Sequence, residues 1–134
     1  MADITITAAN VKAASGGVFA DGTAGASITQ GQPIYFDSTT NTLKLSDANG
    51  TGAKTCIGVA LNAAESGQPI RYQKSGPITI GGTLVAGTVY AVSATAGGIA
   101  PLADITTGDD VIILGVAKST SVLQLDIQVP GVTL

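Results

Sequence analysis

The stretch Cys56-Ile57-Gly58-Val59-Ala60-Leu61 is written nearly a second time at Ile113-Leu114-Gly115-Val116-Ala117-Lys118, with the two Gly-Val-Ala cores 57 positions apart. Matching neighbours surround each core. Upstream, Gly31, Pro33 and Tyr35 answer to Gly87, Thr88 and Tyr90, and downstream the run from Pro69 to Gly76 answers to the run from Leu123 to Gly131. The repeat predicts a β-rich unit present twice within a single domain over 1–134. The first copy is expected over 28–76 and the second over 84–131, preceded by a strand and an arm over 1–27. A glycine inside a strand marks a bulge or a place where another backbone passes closely, and that is the expectation for Gly58 and Gly115.

Turn residues punctuate the chain at short intervals from Ile28 onward: Gln30-Gly31, Thr40-Asn41, Asn49-Gly50, Ser66-Gly67, Gly81-Gly82, Gly97-Gly98 and Thr107-Gly108. Between them lie runs that read as strands: Ile34 to Asp37, Leu43 to Ser46, Cys56 to Leu61, Ile70 to Lys74, Ile78 to Ile80, Thr88 to Val92, Val111 to Ala117 and Val122 to Val129. Strands at this spacing predict an all-β fold, an antiparallel sandwich or small barrel built from two related halves. The last run alternates most cleanly, with Leu123, Leu125, Ile127 and Val129 on one face and Gln124, Asp126 and Gln128 on the other. A slip of one residue there would turn four aliphatic side chains outward.

Ahead of the repeats, Asp3-Ile4-Thr5-Ile6-Thr7 alternates as a half-buried strand does. From Ala8 to Ser27 the pattern dissolves into Ala, Ser and Gly around an isolated Val18-Phe19 pair. Two readings of that pair stay open: tucked back onto its own domain, or buried against another chain. No window carries a capped helical period, so at most one short turn is expected, near Ala63-Ala64-Glu65.

Composition excludes several classes of function. There is no histidine, which removes every Ser-His-Asp and Cys-His arrangement and the commonest metal ligand. Six Lys and Arg against nine Asp and Glu leave a net charge of −3, too little positive charge for binding nucleic acid through its phosphates. The longest apolar run, Val111 to Ala117, is far short of the ~20 residues that span a bilayer. No basic, apolar leader opens the chain, so secretion by a signal peptide is not expected. The lone cysteine, Cys56, sits in an apolar run and reads as a buried, inert thiol.

The remaining candidates for chemistry are weak. Lys74-Ser75 and Lys118-Ser119 are adjacent, but neighbours on a strand face opposite ways, which argues against a working pair. Asp37-Ser38-Thr39 reads as an Asx turn closing a hairpin. Asp104, Asp109 and Asp110 are the one carboxylate cluster; their spacing does not fit an EF-hand loop, and a solvated acidic turn is the preferred reading over a Ca²⁺ site. No glycine pair precedes Lys-Ser/Thr in phosphate-loop spacing. Catalytic residues, metal and cofactor are therefore all expected to be none. With only Phe19, Phe36, Tyr35, Tyr72 and Tyr90 as aromatics, a carbohydrate-binding module is a poor fit.

Several stretches carry a resemblance. Thr23-Ala24-Gly25-Ala26 leads into Gly31-Gln32-Pro33-Ile34-Tyr35, then come Ile57 to Asn62, Gly67-Gln68-Pro69, Gly76-Pro77-Ile78-Thr79-Ile80-Gly81 and the ending Asp126 to Val132. In these the chain resembles the capsid decoration or cement proteins of tailed bacteriophages, small β-rich virion proteins. The resemblance implies a non-enzymatic protein, made in the host cytoplasm and carried on the capsid exterior, that strengthens an assembled head by binding the major capsid protein and associates with itself, often as a trimer. A fibre or tail module of the same virion is the alternative. The residues expected at protein interfaces are Val18 and Phe19 of the arm and the loop tips Asn41, Asn49, Gly50, Gly97 and Gly98, because loops commonly carry binding surfaces.

Overall fold

The structure is a computed structural model that describes residues 3–50 and 54–134. Ten strands form it: β1 Val11–Ala13, β2 Val18–Thr23, β3 Pro33–Asp37, β4 Thr42–Leu45, β5 Gly58–Ala60, β6 Pro69–Ile80, β7 Val89–Val92, β8 Ile99–Pro101, β9 Ile113–Ala117 and β10 Val122–Gln128. All named ladders are antiparallel, and they join every strand into one sheet. The only helical pieces among the described residues are 3-10 turns at Ala8–Asn10 and Leu102–Asp104. The expected turn at Ala63–Glu65 is instead part of the β5–β6 loop, where Ala64 and Ile28 exchange backbone hydrogen bonds at 2.9 Å.

The strand order β4-β3-β5-β6-β10-β9-β7-β8 reads the same from both ends if β3, β4, β5 and β6 are exchanged for β7, β8, β9 and β10. The likeness extends to single residues. Ile34 lies opposite Gly58 and Leu45, and Tyr90 lies opposite Gly115 and Pro101. Val59 and Ala60 face Gln73 and Tyr72, while Val116 and Ala117 face Gln124 and Leu123. The fold is all-β and made of two related halves, with β6 serving both. Its first part closes one half against β2 and β5; its second part opens the other half against β10.

Each half wraps a ring of strands around apolar side chains. Ile28, Ile34, Leu43, Ala60, Ile70 and Tyr72 fill the first ring, and Ile78, Tyr90, Ile99, Leu114, Leu123 and Leu125 are central to the second. Val59 and Cys56 of β5 and its approach join the second cluster, whereas Ala60 joins the first, so β5 separates the two cores. Such aliphatic, nearly aromatic-free cores follow from the composition. Burial of each large aliphatic side chain contributes about 1.5–3 kcal/mol.

The N-terminal arm closes both rings. β2 runs along β6 from Val18 opposite Ser75 to Thr23 opposite Pro69, and the chain then meets β4, where the Gly25 N–H donates to the Leu43 carbonyl at 2.7 Å. In the second ring, residues 3–7 lie between the end of β6 and β8: the Ile4 N–H donates to Ile99 O and the Thr7 N–H to Gly81 O, both at 2.8 Å. Ile4 and Ile6 pack on the second core while Asp3, Thr5 and Thr7 face out. The alternation expected of a first strand is present, but each end of the segment bonds a different strand, so no ladder forms. It is an extended strap.

Cys56 is buried in the second core, its thiol donating weakly to Gly58 O at 3.4 Å, and burial pushes its pKa up to about 11. Thiolate is the reactive form, so iodoacetamide at pH about 8 is expected to leave the folded protein unmodified and to alkylate Cys56 only in denaturant. Intact mass measured under both conditions checks this, and labelling of the folded protein at the rate of a free thiol would refute it.

Candidate functional site

The structure separates the expected interface residues into three places: Asn41 at the turn end of the β3–β4 hairpin, Asn49, Gly50, Gly97 and Gly98 at its opposite end, and Val18 and Phe19 on β2 beside β6. At the turn end, Asn41 adopts φ 61°, the left-handed conformation that asparagine tolerates, and its N–H donates to Asp37 O at 2.8 Å. Asp37 also accepts from the Thr39 N–H at 3.0 Å, the Asx turn read from the sequence, and from the Lys44 ammonium at 2.8 Å. The Lys44 hydrogen bond, followed by that from Thr39, holds the Asp37 carboxyl below its ordinary pKa.

Val18 and Phe19 begin β2. Val18 is 52% exposed, and Phe19 is half-buried with the Arg71 guanidinium 5.1 Å from its ring centroid. Arg71 also reaches Asp21 at 3.5 Å. The pair therefore rests on its own sheet through the β2–β6 ladder, while the Val18 side chain points to solvent.

Beside Asn41, Asp21, Thr23, Phe36, Leu43 and Tyr72 line a cavity of about 250 Å³ between β2 and the β3–β4 hairpin. Phe36 is 46% exposed there, an aromatic face left in water. No expectation from the sequence singled out Phe36, Leu43 or Tyr72. An aliphatic or aromatic side chain on a strand reads as core, and Leu43 and Tyr72 are indeed buried, whereas Phe36 is exposed.

At the other end of the hairpin, Asn49 and Gly50 belong to a turn in which Asp47 accepts from the Asn49 N–H through its carboxylate at 3.1 Å and from the Gly50 N–H through its carbonyl at 3.3 Å. Gly97 and Gly98 lie against the same loop. Gly97 is buried and donates its N–H to Ser46 O at 2.9 Å, and Ala48 donates to Ser93 O at 3.0 Å. Asp3 joins this end by accepting from the Ser93 hydroxyl at 2.6 Å. Asn49 is the most exposed of the four expected residues here.

Neither end assembles acid–base chemistry. Asp109 is buried and spends one oxygen on the Thr106 N–H and hydroxyl, at 3.1 and 3.2 Å. Asp110 accepts from Thr133 Oγ1 at 2.5 Å and lies 3.7 Å from the Lys54 ammonium. Among the described residues no three His, Cys, Asp or Glu side chains converge as a metal would require. A second groove, of about 370 Å³ between the strap and β6, is lined by Thr5, Thr7, Asn10, Thr79 and Ser121 with no titratable group. Among the described residues no helix is long and apolar enough to cross a membrane. Beside these loops the described surface carries amides, hydroxyls and the exposed ring of Phe36, groups that suit contact with another macromolecule.

No curated protein sequence matches the chain. A family model does: that of the phage cement proteins matches residues 2–74, which span the arm, the whole first ring and the first part of β6. With more than half of its length inside that match, and with the small antiparallel β fold described above, the chain belongs to the phage cement protein family.

Proposed function

We propose that this protein binds the outer surface of an assembled phage head and stabilises it by bridging neighbouring copies of the major capsid protein, acting as a homo-oligomer, a trimer by preference. The phage cement family is structural rather than enzymatic, and the match over residues 2–74 is the observation that carries the reading. The physical profile supports it. A head opens when its subunits separate, and a ligand that binds only the assembled lattice opposes separation by RT ln(1 + [L]/Kd), about 2.7 kcal/mol per site at a hundredfold excess over Kd. Such a ligand needs a stiff, weakly charged surface rich in hydrogen-bonding groups. Two closed rings supply the stiffness, and the exposed Asn, Thr and Gln side chains supply the bonding.

The candidate contacts are the turn end of the β3–β4 hairpin with Asn41, the β2 residues Val18 and Phe19, and the opposite loop with Asn49, Gly50, Gly97 and Gly98. Mature and immature heads of the cognate phage, each mixed with purified protein and heated while DNA release is followed, test the proposal. The expected result is co-sedimentation with mature heads and a higher release temperature. Failure to co-sediment with either form, or binding that leaves the release temperature unchanged, would favour a fibre or tail module instead.

A further inference from the structure

Asn49-Gly50 is the one Asn-Gly pair in the chain, and the fold leaves it open to a reaction of its own. The pair closes the turn over 47–50, in which the Gly50 N–H is held only by Asp47 O, at a long 3.3 Å. A single weak bond in an exposed turn opens at little cost. Asn49 is exposed, and among the described residues its side-chain amide has no hydrogen-bond partner. Glycine is kept at 50 by the turn itself, since a Cβ there would lie 3.0 Å from Asp47 Cβ and 3.1 Å from its Oδ2, tighter than ordinary contact. The other asparagines are shielded. Asn10 and Asn41 precede Val11 and Thr42, whose branched side chains crowd the nitrogen that follows each amide. Asn62 donates to Ala63 O at 3.0 Å and Pro69 O at 3.3 Å and accepts from the Arg71 N–H at 2.7 Å, which fixes both ends of its amide.

We propose that Asn49-Gly50 is a site of spontaneous deamidation, and that the loop which the proposed function sets against the shell thereby gains charge and main-chain length as the free protein ages. The chemical step stands on the geometry of the turn; its effect on heads rests on the head-binding function above. The Gly50 nitrogen gives its proton to solvent base and attacks Asn49 Cγ. A bond forms between them, the Cγ–Nδ2 bond breaks, and Nδ2 leaves as ammonia with a proton from water. Water then opens the five-membered succinimide. Cleavage of the new bond yields aspartate, and cleavage of the old peptide bond yields isoaspartate, whose main chain runs through Cβ and Cγ. No oxidant, metal or enzyme is needed. Either product sets a second carboxylate beside Asp47. The isoaspartate also lengthens a turn whose neighbours are bonded to the second ring, Ala48 to Ser93 O and Ser46 O to the Gly97 N–H.

The full-length protein, held in warm, mildly alkaline buffer and sampled over days, is digested and mapped by mass, with isoaspartate scored by enzymatic methylation. Expected is conversion of Asn49, read as the mass difference between OH and NH2, at a rate no more than about tenfold below that of the capped peptide Asp-Ala-Asn-Gly-Thr, as befits a turn that opens at little cost. Asn10, Asn41 and Asn62 are expected to stay intact, and Asn49→Gln to stay unmodified. A slower rate at Asn49, or conversion spread over the four asparagines, overturns the site. Ion exchange then separates aged wild type into modified and unmodified fractions for the head-binding assay. The modified fraction is expected to bind about tenfold or more weakly. Equal binding of the fractions overturns the effect on the shell and leaves the mapped site standing. Heads that bind neither fraction nor fresh protein overturn the proposed function, and the mapping then decides the site alone.

Discussion

Gly115→Ala is expected to lower the melting temperature by roughly 10 °C, a loss of about 3 kcal/mol, and Gly58→Ala is expected to follow it with a somewhat smaller loss. A Cβ on Gly115 would overlap the carbonyl oxygen of Gln124, which is backbone of the neighbouring strand and has no side-chain freedom with which to move aside. On Gly58 it would come within 2.6 Å of Gln73 O and 2.5 Å of Tyr72 Cδ2, a less severe approach to backbone than at Gly115. Gln73 and Gln124 are themselves equivalent, each opposite the valine that follows the glycine. The two halves therefore share one close crossing, and the same substitution should injure both. Gly67→Ala serves as the control. Its φ of +90° carries the left-handed cost of about 1 kcal/mol, but nothing lies within 4 Å of the added atom. Thermal melts of the three variants decide the matter: if Gly115→Ala loses no more than Gly67→Ala, the crossing tolerates a side chain and the account of the paired glycines is wrong.

Those glycines were legible because a repeated strand crossing leaves the same small residue at the same interval. Sequence alone misjudged the spacing further downstream. Setting Pro69 against Leu123 makes the runs look alike, whereas the register makes Tyr72, opposite Ala60, the counterpart of Leu123, opposite Ala117. The β5–β6 loop accounts for the slip, since Ala60 and Tyr72 are twelve positions apart and Ala117 and Leu123 only six. Loop length is the part of a repeat that drifts with least cost to the core. Ile70–Lys74 and Ile78–Ile80 read as two strands because Gly76-Pro77 looks like a break. They are one strand, β6, since Pro77 sits opposite Gln124 and the ladder continues on both sides of it.

Ala, Gly and Ser bury little, so the arm shows no strand pattern in the sequence, but β2 is held by backbone pairing along β6, which leaves almost no trace in hydrophobic pattern. The exposed face of Phe36 was illegible for a related reason. Phe36 and Val92 occupy equivalent positions in similar strands, yet Val92 is buried in a cluster that draws in Ile4, Ala48, Cys56 and Ile112 from distant parts of the chain, whereas Phe36 is left 46% exposed.

The path of residues 3–7 makes the N-terminal strap the second place where a small change should have a large effect. Removing residues 1–7 takes away the half-buried side chains of Ile4 and Ile6, frees the Ile99 and Gly81 carbonyls of their partners and removes the Asp3 carboxylate from Ser93. The expected cost is about 3–5 kcal/mol, or roughly 10–15 °C in melting temperature. The loss should also be local. Among the described residues β8 forms a ladder with β7 alone and takes a backbone hydrogen bond from the strap, so without residues 1–7 it becomes a three-residue edge, and edge strands of that length open readily. Hydrogen exchange of the truncated protein is therefore expected to show lost protection at 80–82 and 91–100, with 33–45 and 58–73 in the first ring nearly unchanged, because the first ring closes through Gly25 and Leu43 without help from the strap. Adding a capped pentapeptide, Asp-Ile-Thr-Ile-Thr, in trans should restore part of that protection. Uniform loss across both rings would mean that the halves do not close independently, and unchanged protection at 91–100 would mean that the strap covers the second ring without holding it.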